Sequence, residues 1–373
     1  MMTATFEKLG VESSRLGFGC MRFPMNEDRS INEAEAVRLL DTAIAGGVTY
    51  IDTAYPYHDE KSEEFVGRSL KKYDRDSYLL ATKLPMWKVE ETADVRRILE
   101  EQLTKLQTDH VDFYLLHALF KERWDKVLEL NVLEELEKLR DEGKIRFIGF
   151  SFHDEFEVFE EILDHRDWDF CQIQFNYLDT ELQAGLKGYH RAEERGIPVI
   201  VMEPVKGGSL AKLPDKMESF FYEQHPDRTV SSWAFRFVAG FPNVKVILSG
   251  MTTMEHVQDN LKTFYTYEPL TEKEMGAIEN VTREYKARLN NGCTACDYCM
   301  PCPFGLKIPQ NFRLWNNAGV YEELEANRTK YHAMEPLERA SNCQECGQCE
   351  PQCPQGIPII EDMKKVAAFF KTN

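Results

Sequence analysis

From residue 16 to residue 264 the chain alternates two hydrophobic patterns. Short, unbroken apolar runs cover residues 15–21, 49–54, 78–84, 112–117, 145–151, 170–177, 198–204 and 244–250. Runs without a polar alternate position suit strands covered on both faces. Between them lie segments whose apolar residues recur at helical spacing. Residues 32–45 place Ala36, Leu39, Leu40, Ala43 and Ile44 on one stripe, and residues 91–106 do the same with Val95, Ile98, Leu99, Leu103 and Leu106. Residues 128–140 and 156–163 follow the same period. Gly46-Gly47, Gly143 and Gly196 stand just past expected helix ends, where a left-handed residue closes the last turn.

Eight strand–helix repeats over some 250 residues predict an α/β fold, a (β/α)8 TIM barrel. A doubly wound open sheet would carry a glycine-rich loop after its first strand. Gly17-Phe18-Gly19-Cys20-Met21-Arg22 lacks the third glycine of that fingerprint. The expected barrel occupies residues 1–268, a connecting helical segment 269–291, and a smaller, mainly helical domain 292–373. Within that tail residues 311–327 read as helix, and Ile308-Pro309 and Ile357-Pro358 hint at an internal repeat.

A barrel places its chemistry at the C-terminal ends of its strands. Polar side chains there include Asp52 and Tyr57 after the second run, Lys83 after the third and His117 after the fourth. A phenol is a weak acid, with a pKa near ~10. A neighbouring ammonium is expected to lower that value, with Asp52 holding Lys83 and His117 orienting a substrate oxygen. Such a set suits protonation of a carbonyl oxygen.

Composition adds the second half of the picture. Eight of the ten cysteines fall in the last 81 residues, as Cys293-x2-Cys296-x2-Cys299-x2-Cys302-Pro and Cys343-x2-Cys346-x2-Cys349-x3-Cys353-Pro. A long chain without secretory features argues against a disulfide framework. Structural zinc usually joins two well-separated Cys-x2-Cys pairs. Three thiolates rising in consecutive steps suit the corners of a cubane, so two [4Fe–4S] clusters are expected. The second run is the bacterial ferredoxin pattern, in which the fourth cysteine ligates the other cluster. By that rule Cys293, Cys296, Cys299 and Cys353 hold one cluster, and Cys343, Cys346, Cys349 and Cys302 the other.

The 373 residues carry a formal net charge of −18, which argues against nucleic-acid binding and against docking on an anionic membrane. The amino terminus lacks a basic start followed by an apolar stretch, and no run reaches the length of a spanning helix, so a cytoplasmic protein is expected.

Several motifs carry a family resemblance. They are Arg15-Leu16-Gly17-Phe18-Gly19, Asp52-Thr53-Ala54-x-x-Tyr57, Ser62-Glu63-Glu64-x-x-Gly67, Lys83, Val111-Asp112-x-Tyr114-Leu115-Leu116-His117 and Gly149-Phe150-Ser151. Together they resemble the aldo-keto reductase superfamily, and the cysteine tail, residues 292–373, resembles the ferredoxin-like domain of its iron–sulfur branch. The resemblance implies a catalytic tetrad of Asp52, Tyr57, Lys83 and His117, with Tyr57 rather than Tyr55 as proton donor. It implies NADPH or NADH across the rim and a small carbonyl substrate. Ser151, Gln172, Met202 and Pro204 would line the nicotinamide, Lys206, Gly207, Gly208, Ser249 and Gly250 would meet the phosphates, and Asp259 and Asn260 the adenine. Three positions depart from the family. Phe152-His153 replaces an asparagine, Met202 an aromatic residue, and Thr252-Thr253 with His256 the usual basic grip on a 2′-phosphate. A flavin remains open, as does a redox partner protein such as a ferredoxin. The alternative reading is an electron-transfer protein whose barrel is a docking scaffold, or one whose site is fed by flavin or ferredoxin.

Overall fold

The computed structural model describes residues 1–371. An antiparallel hairpin opens the chain, β1 (Thr3–Phe6) paired with β2 (Val11–Ser14). Eight parallel strands follow: β3 (Leu16–Gly19), β4 (Tyr50–Asp52), β5 (Leu79–Leu84), β6 (Val111–Leu119), β7 (Ile145–Phe152), β8 (Phe170–Gln174), β9 (Val199–Met202) and β10 (Val244–Ser249). They pair in sequence, and β10 pairs with β3 to close the barrel. Each expected apolar run holds one strand. Cys20 is the exception in detail. It is buried, but it sits in a 3-10 turn, Cys20–Arg22, just after β3 rather than within it.

The hairpin was not foreseen. Its strands read Thr-Ala-Thr-Phe and Val-Glu-Ser-Ser, too short and polar for either pattern. Phe6 explains its place. The ring is fully buried in the barrel interior, 5.3 Å from Phe113, which in turn meets Tyr50 at 5.0 Å and Phe170 at 4.9 Å. Phe113 is thus the hub of an aromatic layer, and truncating such a residue to alanine costs about 3–5 kcal/mol. The interior is a packed core, which leaves the rim for chemistry.

The helical periods hold with small shifts. Helix Glu33–Ala45 is capped by the Asn32 side chain, and Thr92–Leu106 by a reciprocal capping box between Glu91 and Asp94. The segment expected as one helix over 128–140 is two, Lys121–Glu129 and Val132–Asp141, parted by Asn131 at φ 50°. Gly47, Gly143 and Gly196 adopt positive φ, while Gly46 does not.

By contacts the chain forms two compact units. One is Met1–Pro204 with Ala234–Pro269; the other is Val205–Trp233 with Leu270–Asn373. Residues 205–233, which leave the barrel after β9, therefore group with the carboxy-terminal part. In that second unit helix Asp215–Tyr222 packs on helix Glu272–Lys286, with Lys216 ion-paired to Glu284 at 2.9 Å and Arg228 to Glu274. The Tyr321 hydroxyl donates to the Lys212 carbonyl at 2.7 Å. Helices Ile308–Val320, Leu324–Ala333 and Ile359–Phe369 surround a core of Phe312, Trp315, Tyr331, Met363 and Phe370. No helix among the described residues is long and apolar enough to cross a membrane.

Candidate active site and cluster site

Adjacent strands carry three of the four expected rim residues. Asp52 is the last residue of β4, Lys83 stands near the end of β5, and His117 lies in β6. Tyr57 follows β4 in a turn and is succeeded by His58, Asp59 and Glu60, all left-handed, with φ of 54°, 52° and 66°. Each such residue costs about 1–2 kcal/mol, strain concentrated at the rim. The Lys83 ammonium donates to Asp52 Oδ1 at 2.7 Å, to the Thr53 carbonyl at 2.8 Å and to the Tyr57 hydroxyl at 3.3 Å. Its side chain is 1% exposed and that of Asp52 3%, so the pair is sealed from water. The His117 ring stands nearly perpendicular to that of Tyr57, with centroids 6.3 Å apart. Tyr55 turns elsewhere. Its hydroxyl donates to Glu101 at 2.9 Å, with the Lys105 ammonium over its ring. Tyr57, and not Tyr55, is the phenol beside Lys83.

The electrostatics reverse one expectation. Lys83 was expected to lower the Tyr57 pKa, but the phenol lies well above its ordinary value. Burial dominates, and the negative charges of Asp52 and Glu203 and the nearby Cys20 thiol add to it. The ion pair with Asp52 offsets the Lys83 charge before it reaches the phenol. Burial likewise raises the Asp52 carboxyl, opposed by Lys83. It depresses His117 far below the usual imidazole value, aided by Lys83 and Arg123. At neutral pH the site therefore holds a neutral phenol and a neutral imidazole.

Beneath Lys83 lies a buried polar brace. Glu63 accepts from the Thr82 hydroxyl and from the Gln102 amide, both at 2.6 Å. Gln102 also donates to the Lys83 carbonyl at 3.0 Å and accepts from the Tyr114 hydroxyl at 2.7 Å. Helix Ser62–Leu70 carries Glu63 and approaches helix Thr92–Leu106 at Gly67. A Cβ there would lie 2.4 Å from the Lys105 carbonyl oxygen, so only glycine permits the approach.

Residues expected to meet a dinucleotide fall into two groups. Ser151 and Gln172 are register partners on β7 and β8. The Ser151 hydroxyl accepts from the Ala118 amide at 2.7 Å, and Gln172 donates to the Met202 sulfur at 3.5 Å. Pro204 is buried two residues past β9. Asn260 donates to the Ser249 hydroxyl at 2.8 Å; Gly250 follows Ser249, and a Cβ on it would meet the Arg22 side chain at 2.6 Å. Asp259 and Asn260 share helix Met254–Tyr265, which Thr253 caps. All of these belong to the barrel unit. Lys206, Gly207 and Gly208 form a 3-10 turn in the other unit, where a Cβ on Gly207 would lie 2.3 Å from the Thr294 carbonyl oxygen.

Trp87 was not anticipated. It lies three residues past the end of β5, its ring centroid 5.2 Å from that of His117, with the Arg123 guanidinium 4.9 Å above it. Position after a strand was the available signal, and an isolated tryptophan in a Pro-Met-Trp-Lys turn did not stand out from packing.

In the second unit a narrow cavity is lined by Cys293, Cys296, Cys299 and Cys353, together with Thr294, Asp297 and the apolar Ile308, Phe312, Ile357 and Ile359. Three cysteines of the first run and the last of the second thus share one space. Burial, and each other's charge, push the Cys293 thiol up to about 11 and raise Cys299 as well. Thiolates crowded into such a space need a cationic centre to stay ionised, which iron supplies. Among the described residues no three Cys, His, Asp or Glu side chains close round a single-ion point. The second run is more open. Cys346 is exposed, and Cys349, pushed up to about 11 by burial, also feels Cys343 and Cys346.

The two runs end alike. Cys302-Pro-Phe-Gly-Leu-Lys-Ile308 and Cys353-Pro-Gln-Gly-Ile-Pro-Ile359 each place a left-handed glycine three residues on, its amide donating to the cysteine carbonyl at 3.0 and 3.1 Å. Each begins a helix six residues on, at Ile308 and Ile359. The repeat therefore pairs Ile308 with Ile359, rather than with Ile357 as the Ile-Pro dipeptides suggested.

Comparisons with known proteins identify the family of the barrel and the type of domain in the tail. The aldo/keto reductase family profile matches residues 15–283, and a 4Fe-4S dicluster domain profile matches residues 292–357. The chain belongs to the aldo/keto reductase family of oxidoreductases and carries a 4Fe-4S dicluster domain. It is 26% identical over 316 residues to the uncharacterized oxidoreductase YqkF of Bacillus subtilis, covering 75% of this chain and 98% of that protein. The aldo-keto reductase YhdN of the same organism is 36% identical over 152 residues, 38% of this chain and 44% of that one. The holo form of aldo-keto reductase AKR11C1 from Bacillus halodurans superposes with a TM-score of 0.64 at 26% identity, over 75% of this chain and 96% of that one. An aldo-keto reductase from Klebsiella pneumoniae, solved in complex with NADPH, shares the fold with a TM-score of 0.61 at 24% identity, over 73% of this chain and 92% of that one.

Proposed function

We propose that the barrel reduces a small carbonyl compound with NADPH or NADH, and that two [4Fe–4S] clusters in the carboxy-terminal unit exchange electrons with that reaction or with a partner protein such as a ferredoxin. The observation that carries the first half is the Lys83 ammonium, buried and within hydrogen-bond reach of both Asp52 and Tyr57. A bound nicotinamide would supply hydride to the carbonyl carbon. Tyr57 gives its hydroxyl proton to the carbonyl oxygen. Lys83 donates to the phenol oxygen and stabilises it as charge develops, and Asp52 holds Lys83 in place. Neutral His117 donates an N–H to the same carbonyl oxygen and fixes its direction. Tyr57 is protonated at neutral pH, as a proton donor must be, and the Lys83 hydrogen bond to its oxygen stabilises the phenolate that burial disfavours.

Ser151, Gln172, Met202 and Pro204 would face the nicotinamide, and Ser249, Gly250, Asp259 and Asn260 the phosphates and adenine. The amino terminus of helix Met254–Tyr265 offers backbone donors to a phosphate. A neighbour of this fold was solved with NADPH, while Thr252-Thr253 here stands in place of a basic grip on a 2′-phosphate, so NADPH and NADH are both proposed. Cys293, Cys296, Cys299 and Cys353 would hold one cluster, and Cys343, Cys346, Cys349 and Cys302 the other. Hydride carries two electrons and each cluster accepts one, so the pair matches one nicotinamide in count.

The test is an anaerobic assay with a panel of aldehydes, ketones and enones, supplied with NADPH or NADH. Consumption of nicotinamide with product formed supports the proposal. No turnover with any compound, while both clusters still accept electrons from a ferredoxin, overturns it in favour of an electron carrier with a scaffold barrel.

A further inference from the structure

The two cysteine runs are built alike but furnished differently. Aligned on their first cysteines, Thr294 of the first run stands where Gln344 stands in the second, and Ala295 where Glu345 stands, both of the latter pair left-handed at φ 54° and 55°. Gln344 is exposed, and its amide donates to the Asn342 carbonyl at 2.9 Å. Glu345 is exposed and ion-paired to Lys364 at 2.8 Å. Thr294 is the opposite case. It is 3% exposed, it lines the cavity shared by Cys293, Cys296, Cys299 and Cys353, and its hydroxyl has no hydrogen-bond partner among the described residues. A buried hydroxyl left without a partner destabilises a fold. Four cysteines wall that cavity, so beside the Asp297 carboxylate the acceptor it offers such a hydroxyl is sulfur, of a cluster or of its ligands.

The Lys206 turn presses on the same residue. The Gly207 backbone lies so close to the Thr294 carbonyl that only glycine fits, and Lys206 beside it is 2% exposed. A buried lysine and a buried hydroxyl therefore stand at the first run, whereas among the described residues the second run has at that place only the exposed Lys364, which Glu345 pairs.

Resting on the reading that these cysteines hold clusters, we propose that Thr294 donates a hydrogen bond to a sulfur of the cluster held by Cys293, Cys296, Cys299 and Cys353, and that with Lys206 behind it this donor raises the reduction potential of that cluster alone. Reduction adds one electron and one negative charge to the cluster. Donors and cations stabilise the reduced form more than the oxidised one, so their removal lowers the potential. The fold thus builds unequal electron acceptors from an internal repeat.

The test is a redox titration of the anaerobically reconstituted full chain, followed by electron paramagnetic resonance. Iron content is measured first, and wild-type protein free of iron would sink the cluster reading itself. With both clusters present, Thr294→Val removes the hydroxyl at nearly constant shape. One midpoint is expected to move to lower potential while the other stays, and Thr294→Ser is expected to restore it. Two unmoved midpoints, or equal movement of both, would overturn the proposal. Where the valine variant fails to load, Lys206→Gln decides. A lowered single midpoint supports the proposal and an unchanged pair of midpoints refutes it.

Discussion

Lys83 stands 3.3 Å from the hydroxyl of Tyr57 while its charge is neutralised by Asp52 at 2.7 Å. The phenol therefore gains a hydrogen-bond donor without gaining a free cation, and it remains a protonated acid in a dry site. This relationship governs the expected behaviour of the whole rim.

Removing one partner of the buried pair should be costly. Lys83→Met leaves Asp52 as an uncompensated buried carboxylate, and breaking such a pair costs about 3–5 kcal/mol. The double variant Lys83→Met with Asp52→Asn should recover much of that stability and none of the activity. Denaturant unfolding of the wild type, both single variants and the double variant measures the coupling, and additive losses would contradict it.

Activity should not titrate at the ordinary imidazole value. His117 stays neutral far below about 6.5, because burial and the Lys83 and Arg123 charges oppose its protonation. The pH profile of kcat/KM for carbonyl reduction is expected to be flat across that value. A loss of rate on acidification through it, absent in His117→Asn, would show the imidazole to be ordinary.

Acid should weaken the barrel through His153. Burial holds this side chain down to about 4, although Gln183 hydrogen-bonds it. The unfolded chain takes up a proton near about 6.5 and the folded one only near about 4. Stability is therefore complete above the unfolded value and falls as pH drops through that window. The full shift corresponds to about 3 kcal/mol, and because the residue is only half-buried about 2 is expected. His153→Gln should flatten the fall between those pH values in urea melts. An identical slope in the variant would place the effect elsewhere.

The crossed ligation makes a separable prediction. Cys353 closes the second run in sequence but lines the cavity of the first. Cys353→Ser is expected to weaken the cluster held by Cys293, Cys296 and Cys299, and to release up to about half of the iron. Cys302→Ser should disturb the other cluster. Electron paramagnetic resonance of the two variants distinguishes the signals, and the reverse assignment would show each run to be self-contained.

What the sequence disclosed depended on scale. All eight barrel strands were legible because strands covered on both faces leave unbroken apolar runs, and Asp52, Tyr57, Lys83 and His117 were legible as polar residues ending them. The hairpin was not, since its one buried anchor, Phe6, sits among threonine, glutamate and serine. The division at Asn131 was hidden because both helices share one apolar stripe. The grouping of residues 205–233 with the tail is a matter of long-range contact that no local period encodes. The sign of the Tyr57 shift escaped because spacing shows which charges are near but not how completely they are desolvated. Thr294 passed unnoticed because a threonine between cysteines is ordinary until its hydroxyl is found buried.

The central claim is that Tyr57 delivers the proton, and the most direct measurement is carbonyl turnover by Tyr57→Phe beside the wild type, at matched iron content and with nicotinamide affinity measured in parallel. A fall in kcat of about 10²–10⁴-fold with cofactor affinity preserved is the predicted result. Turnover at the wild-type rate by a variant lacking that hydroxyl would contradict it.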